Sequence, residues 1–128
     1  MTATDHYASV RYLVDDVRAA VGFYTTHLGF TLNSSAAPAF AAVERGPLRL
    51  LLSGPASSGA RATPAEATGT GRNRIQLVVD DLDAEIVRLR AAGLPFQGEV
   101  VSGPGGRQIL LPDPAGNLVE LFQPAHRS

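Results

Sequence analysis

Two pairs of adjacent carboxylates, Asp15-Asp16 and Asp80-Asp81, are the first residues whose types and spacing suggest acid–base chemistry. Each pair follows an alternating apolar stretch and precedes a segment with apolar residues at helical spacing. Asp at such a junction caps the amino end of a helix by accepting a hydrogen bond from a backbone N–H. The pattern therefore predicts helix caps at these positions rather than a catalytic carboxylate pair.

Other residues that commonly carry chemistry are few. Cysteine is absent, which excludes disulfides, thiolate catalysis and cysteine-based metal sites. The run Gly103-Pro104-Gly105-Gly106 has the composition of a phosphate loop, but it precedes a predicted strand rather than a helix. Without a helix it lacks the dipole and the ring of amides that bind phosphate. We predict a turn there.

The sequence Val-Asp-Asp occurs twice, at 14–16 and 79–81, in matching surroundings. Each copy predicts a strand, a helix that ends at a glycine (Gly29 or Gly93), and then three further strands. The predicted fold class is therefore α+β, with two tandem βαβββ modules. We place the first module at 8–55 and the second at 74–124, with a Ser-, Gly- and Ala-rich linker at 56–73 that is flexible or serves as a flap.

Composition and charge narrow the class of function. The 128 residues, 45% of them hydrophobic and 18% charged, are typical of one globular domain spanning 1–128. A net charge of −1 gives no basic surface for nucleic acid. No apolar run approaches the ~20 residues of a membrane span, and the first residues lack the features of a signal peptide. We expect a cytoplasmic protein with neither nucleic acid nor membrane as a partner.

A family resemblance is carried by two stretches of these modules. They are LVDDVRAAVGFYTTHLGF at 13–30 and DPAGNLVELF at 113–122. They resemble the vicinal oxygen chelate superfamily of glyoxalase I, extradiol dioxygenases, fosfomycin-modifying enzymes and bleomycin-binding resistance proteins. The resemblance runs from about Ser9 to Pro124. It implies that the strands of each module form a half-barrel cup, that the two cups enclose a ligand, and that the protein is a homodimer.

The resemblance also implies four positions for a divalent metal, one on each of four strands, which catalytic members fill with His, Gln or Glu. In this chain they are occupied by Ser9 and Leu51 in the first module and by Arg74 and Glu120 in the second. One carboxylate beside a leucine and a permanent cation does not supply the donors that a divalent ion needs. We therefore predict that no metal and no other cofactor is bound.

The three histidines are predicted away from these positions. His6 falls on the opposite face of the first strand, His27 in the last turn of the first helix, and His126 in a frayed tail. None of them is expected to replace a metal ligand.

The family geometry that the resemblance implies would bring Arg74 and Glu120 together, so we expect an ion pair between them, with the guanidinium standing where the metal would be and the side chains within about 6 Å. Polar and apolar residues on the inferred cup face form a candidate ligand site: Ser9, Arg11, Phe40, Leu51, Arg74, Gln76, Gln108, Leu110, Glu120 and Phe122. The alternative is that one face of an antiparallel sheet meets solvent anyway, with Arg74 reaching into water.

Three hypotheses for the function remain. The first is a metal-free binding protein of the bleomycin-resistance type, without catalytic residues, that sequesters an apolar or aromatic compound such as an antibiotic. The second is an enzyme, either a glyoxalase-like lyase or dioxygenase with an atypical site or an isomerase that uses Glu120 as general base. The third is an interaction or regulatory module that keeps the fold as a scaffold.

Overall fold

The chain divides into two units, Met1–Gly71 (unit 1) and Arg72–Ser128 (unit 2). This computed structural model describes residues 9–64, 69–71 and 73–125. Each copy of the Val-Asp-Asp repeat lies in its own unit. The positions predicted for His6 and His126 lie outside the described residues.

Unit 1 contains one four-stranded mixed sheet. Its strand order is β1-β4-β3-β2; β1 pairs with β4 in parallel, and the other neighbours are antiparallel. The elements are β1 (Ser9–Leu13), α1 (Val17–His27), β2 (Thr31–Ala36), β3 (Phe40–Arg45), β4 (Leu48–Ser53) and a short helix α2 (Ser58–Arg61).

Unit 2 repeats this topology. Its sheet has the order β5-β8-β7-β6, again with the first strand parallel to the last. The elements are β5 (Arg74–Val78), α3 (Leu82–Ala91), β6 (Gln97–Gly103), β7 (Gly106–Pro112) and β8 (Leu118–Pro124). The predicted α+β class and the two tandem βαβββ modules are confirmed.

Both long helices begin directly after a predicted cap and end two residues before the predicted glycine, α1 at His27 and α3 at Ala91. The Asp16 side chain accepts a hydrogen bond from the Ala19 backbone N–H, and Asp81 accepts one from Ala84, both at 3.0 Å. Gly29 and Gly93 follow the helices with φ of 76° and 85°, a conformation that glycine adopts without strain. The second carboxylate of each Val-Asp-Asp is therefore a helix cap.

The predicted linker contains an element that its composition did not reveal. Ser57 caps α2 by accepting a hydrogen bond from the Ala60 N–H at 3.1 Å, and its hydroxyl donates to the Gly54 carbonyl at 2.8 Å. The Gly54 N–H in turn donates to the carbonyl of Ala39, the residue before β3, at 2.8 Å, which holds the chain just before the segment. A single helical turn is too short to show the apolar spacing by which helices are recognised. The domain boundaries 8–55, 56–73 and 74–124 themselves stay predictions.

The hairpin between β7 and β8 is closed by a buried carboxylate. Asp113 Oδ1 accepts hydrogen bonds from the backbone N–H groups of Ala115 and Asn117 at 2.9 and 2.8 Å, and Oδ2 accepts one from Asn117 Nδ2 at 3.1 Å. Asn117 Oδ1 then accepts from the Asn73 backbone N–H at 3.1 Å, directly before β5. The hairpin thus holds the entry to β5 beside the start of β8.

The helices of the described residues are short compared with a membrane span. The longest helix of the described residues, α1, has 11 residues. Within that part of the chain no helix is long and apolar enough to cross a membrane.

We predict that Asp113→Ala lowers the free energy of unfolding by about 2–3 kcal/mol, because it leaves buried N–H donors without an acceptor. Asp80→Ala is the control, since Asp80 is an exposed carboxylate and its loss should change stability by less than about 0.5 kcal/mol. Urea denaturation of the three proteins measures both values. Equal stability of the two variants would contradict the role given to Asp113.

Candidate functional site

The register of the parallel strand pairs decides which side chains share a face. Arg11 lies opposite Leu51 in the β1–β4 pair, and Gln76 lies opposite Glu120 in the β5–β8 pair. Residues directly opposite one another in a sheet project from the same face. The correspondence inferred from the repeat, in which Leu51 takes the place of Glu120, therefore holds in the strand pairing of each unit.

In unit 2 a cluster of polar side chains surrounds Glu120. Its Oε1 accepts hydrogen bonds from Arg74 Nη2 at 2.8 Å and from Arg74 Nε at 3.1 Å. Its Oε2 accepts one from Gln76 Nε2 at 2.8 Å. In the amide orientation that satisfies both of its ends, Gln108 donates to Oε2 at 3.1 Å and accepts from Arg74 Nη2 at 3.0 Å. We call these four residues the Glu120 cluster.

Burial differs sharply within the Arg74–Glu120 pair. The Glu120 side chain is 10% exposed, whereas that of Arg74 is 46% exposed. The predicted ion pair is confirmed, and the alternative in which Arg74 only reaches into solvent is wrong. Because carboxylates are rarely buried without partners, the four hydrogen bonds explain how Glu120 is accommodated in β8.

Apolar side chains flank the Glu120 cluster in the same sheet. Leu110 of β7 lies directly opposite Glu120, and Phe122 of β8 lies opposite Gln108. Both are half-buried. The cluster is thus a polar centre beside an apolar surface.

The residues at the four metal positions do not fit a divalent ion. Both oxygens of Glu120 are occupied by donors from its own unit, and one donor is a permanent cation. Leu51 has no ligand atom, and Ser9 offers only an exposed hydroxyl. In the part of the chain that the structure describes, no three His, Cys, Asp or Glu side chains lie close enough to hold a metal ion. His27 lies in the last turn of α1, as predicted.

Unit 1 contains a cavity of about 450 Å³. Arg11 and Phe40, both predicted as ligand-binding residues, line it from β1 and β3, together with the start of α2 and the two residues before it. The lining residues are Arg11, Ala39, Phe40, Ala56, Ser57, Ser58 and Gly59.

The Arg11 side chain is held in place by two contacts. Its Nη1 donates a hydrogen bond to Ser53 Oγ at 2.7 Å, and Ser53 is fully buried. Its guanidinium also packs against Gly59, where a Cβ atom would lie only 2.8 Å from Arg11 Cζ. Any larger residue at position 59 would therefore displace the guanidinium.

The structure thus sorts the predicted site residues by unit. Arg11 and Phe40 meet at the cavity of unit 1, while Ser9 and Leu51 do not line it. The remaining residues share one surface of unit 2: Arg74, Gln76, Gln108, Leu110, Glu120 and Phe122.

Ser53 and Gly59 were missed as site residues. Gly59 lies in the segment interpreted as a linker, and no spacing in the sequence indicates that it contacts a strand residue 48 positions earlier.

The sequence matches the model of the Glyoxalase/Bleomycin resistance protein/Dioxygenase superfamily over residues 4–121. The chain belongs to this superfamily. The resemblance recognised from the Val-Asp-Asp repeat and the 113–122 segment is thereby confirmed. No curated protein sequence gives a significant match.

Solved structures of this superfamily's fold include both binding proteins and enzymes. TnmS3, an antibiotic binding protein from Streptomyces sp. CB03234, is 27% identical, with a TM-score of 0.75 and coverage of 98% of this chain and 100% of that chain. A glyoxalase/bleomycin resistance protein/dioxygenase from Nocardioides is 25% identical, with a TM-score of 0.70 and coverage of 100% and 89%. Lactoylglutathione lyase from Agrobacterium tumefaciens is 23% identical (TM-score 0.75; coverage 95% and 96%) and shows the fold alone.

A double-mutant cycle on Arg74→Met and Glu120→Gln should give a coupling energy of about 1–2 kcal/mol, because the carboxylate is largely removed from water. The control is the Arg107–Asp83 pair, whose N–O distance is 3.2 Å and whose carboxylate side chain is 73% exposed. An exposed pair of this kind should couple by less than about 0.5 kcal/mol. The free energies of unfolding of the wild type, the single mutants and the double mutants, measured in urea, give the coupling energy of each pair. Equal coupling in the two pairs would contradict the special role of the Glu120 cluster.

Proposed function

We propose that this protein binds an apolar or aromatic small molecule, such as an antibiotic, without a metal or cofactor and without transforming it. The observation that carries this proposal is that both carboxylate oxygens of Glu120 accept hydrogen bonds from side chains of its own unit. Glu120 is the one family metal position that retains a ligand type, and four hydrogen bonds from Arg74, Gln76 and Gln108 engage both of its oxygens.

The same hydrogen bonds argue against the enzyme alternative. A general base needs a carboxylate oxygen within hydrogen-bond reach of the substrate proton, and the bonds within the cluster compete with that contact. A metal-dependent lyase or dioxygenase needs several oxygen or nitrogen donors on one ion, which Ser9, Leu51 and Arg74 do not supply. The likeness to lactoylglutathione lyase lies at an identity that supports the fold only.

The surface around the cluster supports a binding role. Leu110 and Phe122 are half-buried, and Val78, opposite Phe122 in the β5–β8 pair, is 52% exposed. Apolar walls with a few fixed polar groups are typical of small-molecule sites. The 27% identity with the antibiotic binding protein TnmS3, over 98% of this chain and 100% of that chain, favours the same class of ligand.

Two further features stay predictions from the sequence. They are a homodimer, which light scattering on the purified protein would test, and a cytoplasmic location. The scaffold hypothesis predicts that no small molecule binds at all, and the following experiment distinguishes it from the proposal.

A thermal-shift screen of aromatic antibiotics should find a compound that raises the melting temperature. At a ligand concentration of about 100 Kd the stabilisation is about 2.7 kcal/mol, which corresponds to a shift on the order of 10 °C. Mass spectrometry after prolonged incubation should recover the compound unchanged. Phe122→Ala should weaken its binding roughly tenfold, whereas Val87→Ala, at a position 68% exposed on α3, should not.

Two results would contradict the proposal. Conversion of the bound compound into a product would indicate an enzyme. A screen without any stabilising compound would favour the scaffold hypothesis.

A further inference from the structure

We propose that the cavity of unit 1 selects ligands that carry an anionic group next to an aromatic ring, with the Arg11 guanidinium as the partner of the anion. The inference rests on the proposed binding function, adds the cavity of unit 1 as a second candidate site besides the surface around the Glu120 cluster, and names the class of ligand. It is argued from the charge of Arg11, its fixed position and the apolar residues beside it.

Arg11 brings a positive charge that no carboxylate among the described residues neutralises. Its hydrogen-bond partner is the neutral hydroxyl of Ser53. Of the described acidic side chains of unit 1, Glu44 interacts with Arg49 at 3.8 Å, Asp16 caps α1, and Asp15 makes no ion pair with Arg11. A guanidinium has five N–H donors, so most of its donors are available to a ligand.

The position of this charge is set before any ligand arrives. The bond to buried Ser53 and the contact with Gly59 fix the guanidinium at the wall of the cavity. A planar guanidinium held in this way binds carboxylate or sulfonate oxygens with little further loss of side-chain freedom. Hydrogen bonds of this charge-assisted kind are about twice as strong as neutral ones.

An aromatic ring is favoured by the rest of the cavity. The Phe40 side chain lines it together with the small apolar residues Ala39 and Ala56. The volume of about 450 Å³ accommodates a drug-sized molecule. A flat ring against Phe40 with an acidic substituent at Arg11 satisfies both kinds of contact.

The two units differ in this respect. In unit 2 the residue that corresponds to Arg11 is Gln76, and Arg74 of the same strand is already paired with Glu120. In unit 1 Leu51 takes the place of the acid. Arg11 therefore has no carboxylate partner among the described residues, whereas Arg74 has one.

The test uses two fluorescent probes that share one skeleton, anilinonaphthalenesulfonate and N-phenylnaphthylamine, which lacks the sulfonate. Wild-type protein should bind the sulfonate more tightly. Arg11→Gln should weaken sulfonate binding by about tenfold to hundredfold and leave the neutral probe unchanged. Arg18→Gln, the same change at an exposed position of α1, is the matched control for net charge and should alter neither affinity.

A second variant tests the same claim without removing the charge. Gly59→Ala should displace the guanidinium and reduce the preference for the sulfonate, while alanine in α2 should not destabilise the fold. Melting temperatures of all variants show that each one is folded.

The outcomes separate this inference from the function on which it rests. Equal affinity of the two probes, or an equal loss of both in Arg11→Gln, would overturn anion selection while leaving small-molecule binding intact. Failure of both probes to bind would also overturn it, and the antibiotic screen then decides the proposed function independently.

Discussion

In each unit the first strand pairs in parallel with the last, and the side chains of the candidate site take their positions from that pairing. Parallel neighbours cannot be joined by a tight turn, so the chain must cross over through α1 or α3 and then through two more strands. The pairs Arg11–Leu51 and Gln76–Glu120 occupy corresponding points of the two sheets. Side chains alternate between the two faces of a strand with a period of two. If one strand slipped by one residue against its neighbour, its side chains would therefore point to the opposite face.

The same position on the last strand is therefore an acid in one repeat, Glu120, and an apolar residue in the other, Leu51. Where the last strand carries Glu120, the surrounding Arg74, Gln76 and Gln108 donate to it and the charge is satisfied within the unit. Where the last strand carries Leu51, the neighbouring Arg11 instead donates a hydrogen bond to Ser53 and packs against Gly59 at the edge of a cavity. The leucine in one repeat offers no donor to a metal ion, and the acid in the other has both oxygens engaged by donors of its own unit.

The sequence predicted those features that depend on local chemistry or on the repeat. Asp16 and Asp81 were predicted as caps because a cap needs only a side chain at a strand–helix junction. The Arg74–Glu120 pair was expected from the metal positions that the family resemblance implies, which the repeat located in this chain. The partner role of Gln108 depends on antiparallel register, and the contact between Gly59 and Arg11 depends on a one-turn helix in a segment without apolar periodicity. Such contacts leave no pattern in a single chain.

The central claim is that protein donors satisfy Glu120 and leave no place for a metal ion. Elemental analysis of protein purified in Zn²⁺, Ni²⁺, Mn²⁺ and Fe²⁺ tests it most directly, with Glu120→Ala alongside. The donor set of the cluster predicts no stoichiometric metal in either protein. One equivalent of metal in the wild type that is lost in Glu120→Ala would contradict it.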